Sequence, residues 1–412
     1  MSSQKDMQIS SIKRKSKLIF NKIYNPQSKL SQLLFSSRYA KSFKKIDDYF
    51  SIQPIAGYVG WLGDANLGDE ALYLAFKDLF SEFQVLTYDD FGELNYAYHR
   101  AIHPLELYLY RNFIKSQDFY NLVFLGGGTL IHWQSYLERF QHALQKGYQG
   151  IVFGTGVGDP DFWSDYYSDI NYSALINQWV QVLSKAKYVS VRGFRSAKIL
   201  ENHGFSNAKV IGDPALSICT PRDSSLLKNR KIAINLGSHG QMWGSQSLVI
   251  KNIIEVVNHL LANNWLVEFI PMHQKDFDIG LDLIRNFNSK NISIWRKYKD
   301  IQQTLFRIKS YDIVIGQRLH SVVLAHGCGV PAIMLEYQPK CRDFMESMGM
   351  ERYSLRTDTL IIDNVLELVE EIENNYEQHC EKLISKGNHY RLLQKMAAQE
   401  VVSMIVAGST KG

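Results

Sequence analysis

From Ile52 onward, short runs of β-branched and aromatic residues alternate with longer stretches whose apolar positions recur at helical spacing. That alternation is the signature of parallel strands joined by crossover helices. The first series predicts strands at Ile55 to Trp61, Phe83 to Thr87, Leu122 to Leu125, Gly150 to Phe153, Tyr188 to Val191 and Lys209 to Ile211. Pro214 and Pro221 break it, and the polar stretch Arg222 to Arg230 leads into a second series. Its strands are Lys231 to Leu236, Leu266 to Ile270, Ile292 to Trp295, Ile313 to Ile315 and Ala332 to Leu335. The expected fold is α/β, with Rossmann-like domains over residues 52–221 and 222–360 and a helical segment over 361–412. Within that last segment, Val365 to Val406 is expected to pack on the surface. Two Rossmann-like domains face each other across a cleft, and ligands of open α/β sheets sit beyond the carboxyl ends of the strands, so substrates belong between the domains.

Charge adds a separate N-terminal segment, residues 1–51. Residues 1–50 carry 11 Lys/Arg against 3 Asp/Glu, while the whole chain is only +5, so the remainder is slightly acidic. Ile12, Leu18, Ile19, Phe20, Ile23 and Tyr24 lie among Lys13, Arg14, Lys15, Lys17 and Lys22. Two readings fit: peripheral contact with an anionic membrane, or a solvated leader. Basic residues confined to one tail without a recognition motif argue against nucleic acid as a partner. No run of about 18 apolar residues and no signal-peptide order appear, so a cytoplasmic location is expected, and on the first of those two readings the segment meets the inner face of the plasma membrane. Cys219, Cys328, Cys341 and Cys380 show no paired spacing and read as reduced thiols.

The candidate chemistry gathers at strand exits. Gly60 to Ala71, containing Asn66-Leu67-Gly68-Asp69-Glu70, is a glycine-rich turn that opens a helix. Helix-start amides attract anions, although taken in isolation Asp69 and Glu70 are better explained as complements of the helix dipole. Gly126-Gly127-Gly128-Thr129, followed by His132 and Trp133, brings backbone close to a ligand or forms a tight loop; Gly154 to Pro160 is read as a third such loop. Arg192, with Gly193 and Arg195 after it, stands at a strand end facing the expected cleft, where it holds a carboxylate or phosphate or else forms a salt bridge. Gly316-Gln317-Arg318-Leu319-His320-Ser321 sets a fixed cation beside a group that titrates near neutrality. No metal-ligand spacing is present, and metal-independent chemistry without a cofactor is expected.

Taken in order, these motifs resemble the polysaccharide pyruvyltransferase family over about residues 55–350. The family is similar in fold to the two-Rossmann-domain B-type glycosyltransferases. The resemblance implies phosphoenolpyruvate as donor substrate and a saccharide or lipid-linked saccharide as acceptor in surface polysaccharide synthesis. It implies donor binding at Arg192, Arg318 and His320, and a catalytic role for His320. Asn66, Gly127 and Gly128 are expected on the donor side, and His132, Trp133 and His273 on the acceptor side, His273 being equally readable as structural. Trp133, Trp163 and Trp243 are aromatic candidates for a sugar face, with partly buried packing as their alternative. Two departures stand out: Ile234 to Gly240 lacks an arginine that members often place there, and Asp64 replaces a common aromatic or amide residue.

Ketal formation requires protonation of the donor's methylene carbon and attack of a sugar hydroxyl on the adjacent carbon. A second hydroxyl then displaces phosphate. His320 is the expected acid and Asp69 the expected base. The competing expectation on the same fold is a glycosyltransferase using a nucleotide sugar.

Overall fold

The computed structural model describes residues 55–62, 66–87, 122–223, 229–237 and 240–409. The basic segment 1–51 lies outside them, as do Asp64, Ser238 and His239. Residues from Ile55 onward form one compact unit built on two parallel sheets.

The first sheet has strands β1 (Ile55–Val59), β2 (Gln84–Thr87), β3 (Leu122–Gly126), β4 (Thr129–Ile131), β5 (Gln149–Val157), β6 (Tyr188–Val191) and β7 (Lys209–Val210). Their order is β2-β1-β3-β5-β6-β7, with β4 pairing only with β5. The second sheet has β8 (Lys231–Asn235), β9 (Leu266–Phe269), β10 (Ile292–Ile294), β11 (Ile313–Gly316), β12 (Ala332–Glu336) and β13 (Ser354–Arg356), in the order β10-β9-β8-β11-β12-β13. In each sheet the direction of winding reverses next to the first strand, between β1 and β3 and between β8 and β11. Open sheets bind ligands outside the carboxyl ends of strands at such reversals. Strands buried on both faces need continuous apolar runs, and β3 (Leu-Val-Phe-Leu-Gly) and β12 (Ala-Ile-Met-Leu-Glu) are buried throughout.

Three expectations change. The glycine segment after Phe153 is strand rather than loop: β5 continues to Val157 because Gly154 takes a φ of 65° and the register against β6 shifts between Val152 and Thr155. A left-handed residue of this kind lets a strand kink and resume. The strands β4 and β13 were not among those predicted; at three residues each they are too short to show a period. The C-terminal segment is not a surface layer. It folds as α11 (Ile362–Asn374) and α12 (Tyr376–Ser409). Tyr376, Cys380, Leu383 and Tyr390 join the core of the second sheet, whereas Ala397, Ala398, Val401 and Ile405 join that of the first. The helix has to cross both halves because its apolar positions are divided between two cores.

A second element is shared in the same way. Helix α1 (Leu67–Leu79) buries Leu67, Ala71 and Leu72 against the second-sheet core and Tyr73 and Phe76 against the first. Phe76 and Phe80 meet Phe124 of β3 and Phe153 of β5 with ring centroids 4.4 to 5.6 Å apart, a range that favours tilted aromatic packing.

Candidate functional site

Three helices begin at the mouth of the cleft: α1, α9 (Leu319–Gly327) and α10 (Pro339–Met348). Each follows a strand exit, so each presents the positive end of its dipole to the same space. Asn66 caps α1, its side-chain oxygen accepting from Gly68 N at 3.2 Å. The backbone of Leu67 donates to the Met272 carbonyl at 2.9 Å, tying the start of α1 to the second half. Between these helix starts and β4 lies a cavity of about 210 Å³. Asn66, Asp69, Gly128, Thr129, His132, Trp133, Arg192, Arg318 and His320 line it.

Arg192 is almost wholly buried, at 1 % exposure, just beyond β6. Its Nη2 donates to Thr129 Oγ1 at 3.1 Å, while Nε and Nη1 make no hydrogen bond. Two carboxylates flank it beyond hydrogen-bonding range, Asp213 at 3.8 Å and Asp343 at 3.9 Å. A buried guanidinium with unused donors is poised for a further anion. The glycines around it are steric requirements: a Cβ at Gly156 would stand 2.5 Å from Nη2, and one at Gly193 would stand 2.1 Å from an Asp343 oxygen. Arg195 turns outward instead, pairing with Glu346 at 2.7 Å.

Arg318 is the N-cap of α9. Its Nε donates to both oxygens of Asp276, at 2.8 and 2.6 Å, leaving the Nη end of the fork for the cavity it lines. Asn235 fixes the arrangement, accepting from the Arg318 backbone at 2.9 Å and donating to Asp276 at 3.4 Å. Burial works against the charge of Arg318, but the Asp276 carboxylate more than compensates and raises its pKa.

The His320 ring lies against Gly68 of α1, where a Cβ would come within 2.2 Å of Nδ1. Its Nε2 faces Asp213 Oδ2 at 3.7 Å, and neither atom makes a hydrogen bond. Burial lowers the imidazole pKa to about 4, with Asp213 opposing the shift and Arg192, Lys340 and Arg318 adding to it. His132 is stacked on Trp163 with centroids 4.6 Å apart and neither ring nitrogen partnered. Burial, and to a smaller degree Lys340, holds its pKa well below the ordinary histidine range.

Two of the expected residues stand apart from the cavity lining. Gly127 packs behind it, its φ of 63° and its closeness to Leu72 and Tyr58 excluding a side chain. His273 caps α7 (Gln274–Ile284), its Nδ1 accepting from Lys275 N at 3.1 Å. Trp163 joins Trp133 in the lining, but Trp243 is held elsewhere, under Arg356 at 4.3 Å. Sequence reasoning gave no role to Trp61, Met272, Tyr337, Gln338 or Lys340, which all line the cavity. The lysine sits in the first turn of α10, and burial, together with Arg192 and Arg318, lowers its pKa to about 8. Tyr337-Gln338-Pro339-Lys340 is a strand exit with proline at the first helical position, a legible signal of the same kind as the others but without their glycines. The site is therefore compact, lined by several cations and bordered by aromatics. Among the described residues no cluster of His, Cys, Asp or Glu is arranged to hold a metal ion, and no helix is long and apolar enough to cross a membrane.

A family model described as polysaccharide pyruvyl transferase matches residues 66–339. No protein of curated function matches the sequence. Among solved structures, the UDP-GlcNAc 2-epimerase from Neisseria meningitidis bound to UDP-GlcNAc has a TM-score of 0.53 at 13% identity, covering 86% of this chain and 99% of its own. MnaA from S. aureus with UDP scores 0.53 at 12% identity, covering 87% and 97%. Anabaena Alr3699/HepE in complex with UDP-glucose scores 0.50 at 12% identity, covering 85% and 99%. At these identities the likeness is one of fold: two Rossmann-like halves about a cleft, as in the B-type glycosyltransferases.

Proposed function

Since the chain belongs to the polysaccharide pyruvyl transferase family and is therefore a transferase, we propose that it moves the pyruvyl group of phosphoenolpyruvate onto two hydroxyls of a saccharide, forming a ketal and releasing phosphate. One observation carries this reading: Arg192, Arg318, Lys340 and His320 share the lining of a single cavity of about 210 Å³. That volume is below the roughly 300–1,000 Å³ of pockets that enclose drug-sized ligands. It suits a three-carbon anion better than a nucleoside diphosphate sugar. Phosphoenolpyruvate brings a carboxylate and a phosphate, and the buried Arg192, the Nη fork of Arg318 and Lys340 supply matching charge.

The entering anion offsets the three cations that depress His320, so its pKa rises and the imidazole becomes a proton donor at neutral pH. The proton passes to the methylene carbon, making it a methyl group, while a sugar hydroxyl bonds to the adjacent carbon and gives its proton to a base. Asp69, in the cavity wall, is the base in this scheme. A second hydroxyl then attacks the same carbon, giving its proton to the His320 imidazole left neutral by the first step, and phosphate leaves with its bonding pair. Asn66 and Gly128 border the donor, and Gly127 shapes the backbone behind it. The aromatic side, with His132, Trp133, Trp163 and the half-exposed Trp61, receives the saccharide. His273 acts there only indirectly, by starting the helix that carries Asp276. No metal or cofactor takes part, and the acceptor belongs to a surface polysaccharide or its lipid-linked precursor, met in the cytoplasm.

The test is phosphate release from phosphoenolpyruvate against a panel of saccharides, with the product identified by mass spectrometry. Acceptor-dependent release and a pyruvylated sugar are expected, and His320→Ala should abolish both while leaving the thermal unfolding temperature nearly unchanged. Near wild-type turnover in that variant would remove the proposed acid.

A further inference from the structure

We propose that Asp213, a residue outside the cavity wall, is the positioning residue that turns His320 into an acid when the donor binds. This rests on the assignment of His320 as proton donor. Asp213 follows β7 and is completely buried. Its surroundings fix everything about it except one oxygen. Gly212, with a φ of 79°, makes the turn that leads into it. Its Oδ1 accepts from Ala215 N at 3.0 Å, capping the 3-10 turn Pro214–Ile218. Its carbonyl accepts from Gln394 of α12 at 2.8 Å.

The remaining oxygen, Oδ2, makes no hydrogen bond. It stands 3.7 Å from His320 Nε2 and 3.8 Å from Arg192 Nη1, and both of those nitrogens are also buried and unpartnered. Three unsatisfied polar atoms so arranged form an incomplete network, in which a proton on Nε2 would satisfy the imidazole and the carboxylate together. Asp213 favours that proton. Arg192, Lys340 and Arg318 oppose it, and Asp69 and the Tyr337 hydroxyl face the same cavity. Burial and the cations prevail before the donor arrives. A bound trianion offsets the cations, so the carboxylate becomes the dominant neighbour and the imidazole takes up a proton. Donor binding and proton uptake are then a single linked event.

Asp213→Asn keeps the shape and the Oδ1 cap while removing the charge. The experiment measures phosphate release across pH with a saccharide acceptor, and titrates phosphoenolpyruvate calorimetrically near pH 7.5 in buffers of different ionisation enthalpy. The wild-type protein should take up close to one proton per donor bound, and His320→Gln none. In Asp213→Asn, uptake should be largely lost and kcat should fall about tenfold at pH 7.5, with the alkaline limb of kcat moved about two units lower. Its KM for phosphoenolpyruvate should not rise, because a negative charge behind an anion site has been removed. A purely structural aspartate would instead raise KM or lower the unfolding temperature and leave the limb in place. An inactive His320→Gln beside an Asp213→Asn with wild-type kcat and limb overturns the role of Asp213 alone. An active His320→Gln overturns the acid assignment beneath it. Should Asp213→Asn fail to fold, the wild-type titration still decides, since absence of proton uptake contradicts the proposal.

Discussion

At the scale of single residues the site is set by unequal pairings. Asp276 takes only the Nε edge of Arg318, and a lysine cannot keep that contact and still present a planar fork to a ligand. Arg318→Lys is therefore expected to raise the KM for phosphoenolpyruvate about tenfold, or roughly 1.4 kcal/mol, with a smaller change in kcat; steady-state kinetics check this, and an unchanged KM would count against donor contact. Gly68 matters for a different reason, since a Cβ there would overlap the His320 ring at 2.2 Å. Gly68→Ala should lower kcat while Arg192 and Arg318 still hold the donor. Buried neutral histidines also give stability a pH dependence. His320 and His326 have pKa values lowered by burial to about 4 and about 3, and His132 lies well below its ordinary 6.5. The unfolded chain binds protons at these positions near pH 6.5 and the folded chain does not, so stability is lost as pH falls from 6.5 toward 4. Unfolding temperatures should drop over that window, less steeply with phosphoenolpyruvate bound, because the complex has already protonated His320.

At the scale of elements, α1 and α12 are divided between the two cores and join the halves at the site. Gln394 of α12 donates to the carbonyls of Ile211 and Asp213 at 3.1 and 2.8 Å, both buried. Gln394→Ala leaves the Ile211 carbonyl unpaired and the Asp213 carbonyl with only its bond from Leu216 N, and is expected to cost about 1–3 kcal/mol, seen as a lower denaturant midpoint; a midpoint equal to wild type would show that these bonds do not hold the turn. The strands and most site positions were legible because period and strand-exit glycines are local properties: Arg192, Arg318, His320, Asp69 and Gly128 all reach one cavity. What was not legible depends on distant partners. Lys340 comes from an exit without glycine, while Asp213, Asp276 and Asp343 act through partners distant in the sequence, among them arginines 21, 42 and 151 positions away. The C-terminal helix read as a surface layer because its apolar positions, split between two cores, form no single stripe.

At the scale of the whole molecule, a slightly acidic body encloses a cationic cavity, and the basic excess of the chain lies in residues 1–50. The field in the cavity is therefore local, made by helix starts and a few cations, rather than a consequence of net charge. In the proposed reaction those groups offset the charge of phosphoenolpyruvate, so a chelator such as EDTA should leave turnover unchanged; loss of activity restored by a divalent cation would oppose this. The proposed reaction needs a cavity that recognises a small anion and not a nucleotide, although structures of the same fold hold UDP-sugars. Isothermal titration of the full chain with phosphoenolpyruvate and, separately, with UDP-N-acetylglucosamine tests it most directly. Saturable binding of phosphoenolpyruvate at one site per chain, with no heat from the nucleotide sugar, is the result expected; binding of the nucleotide sugar alone would contradict it.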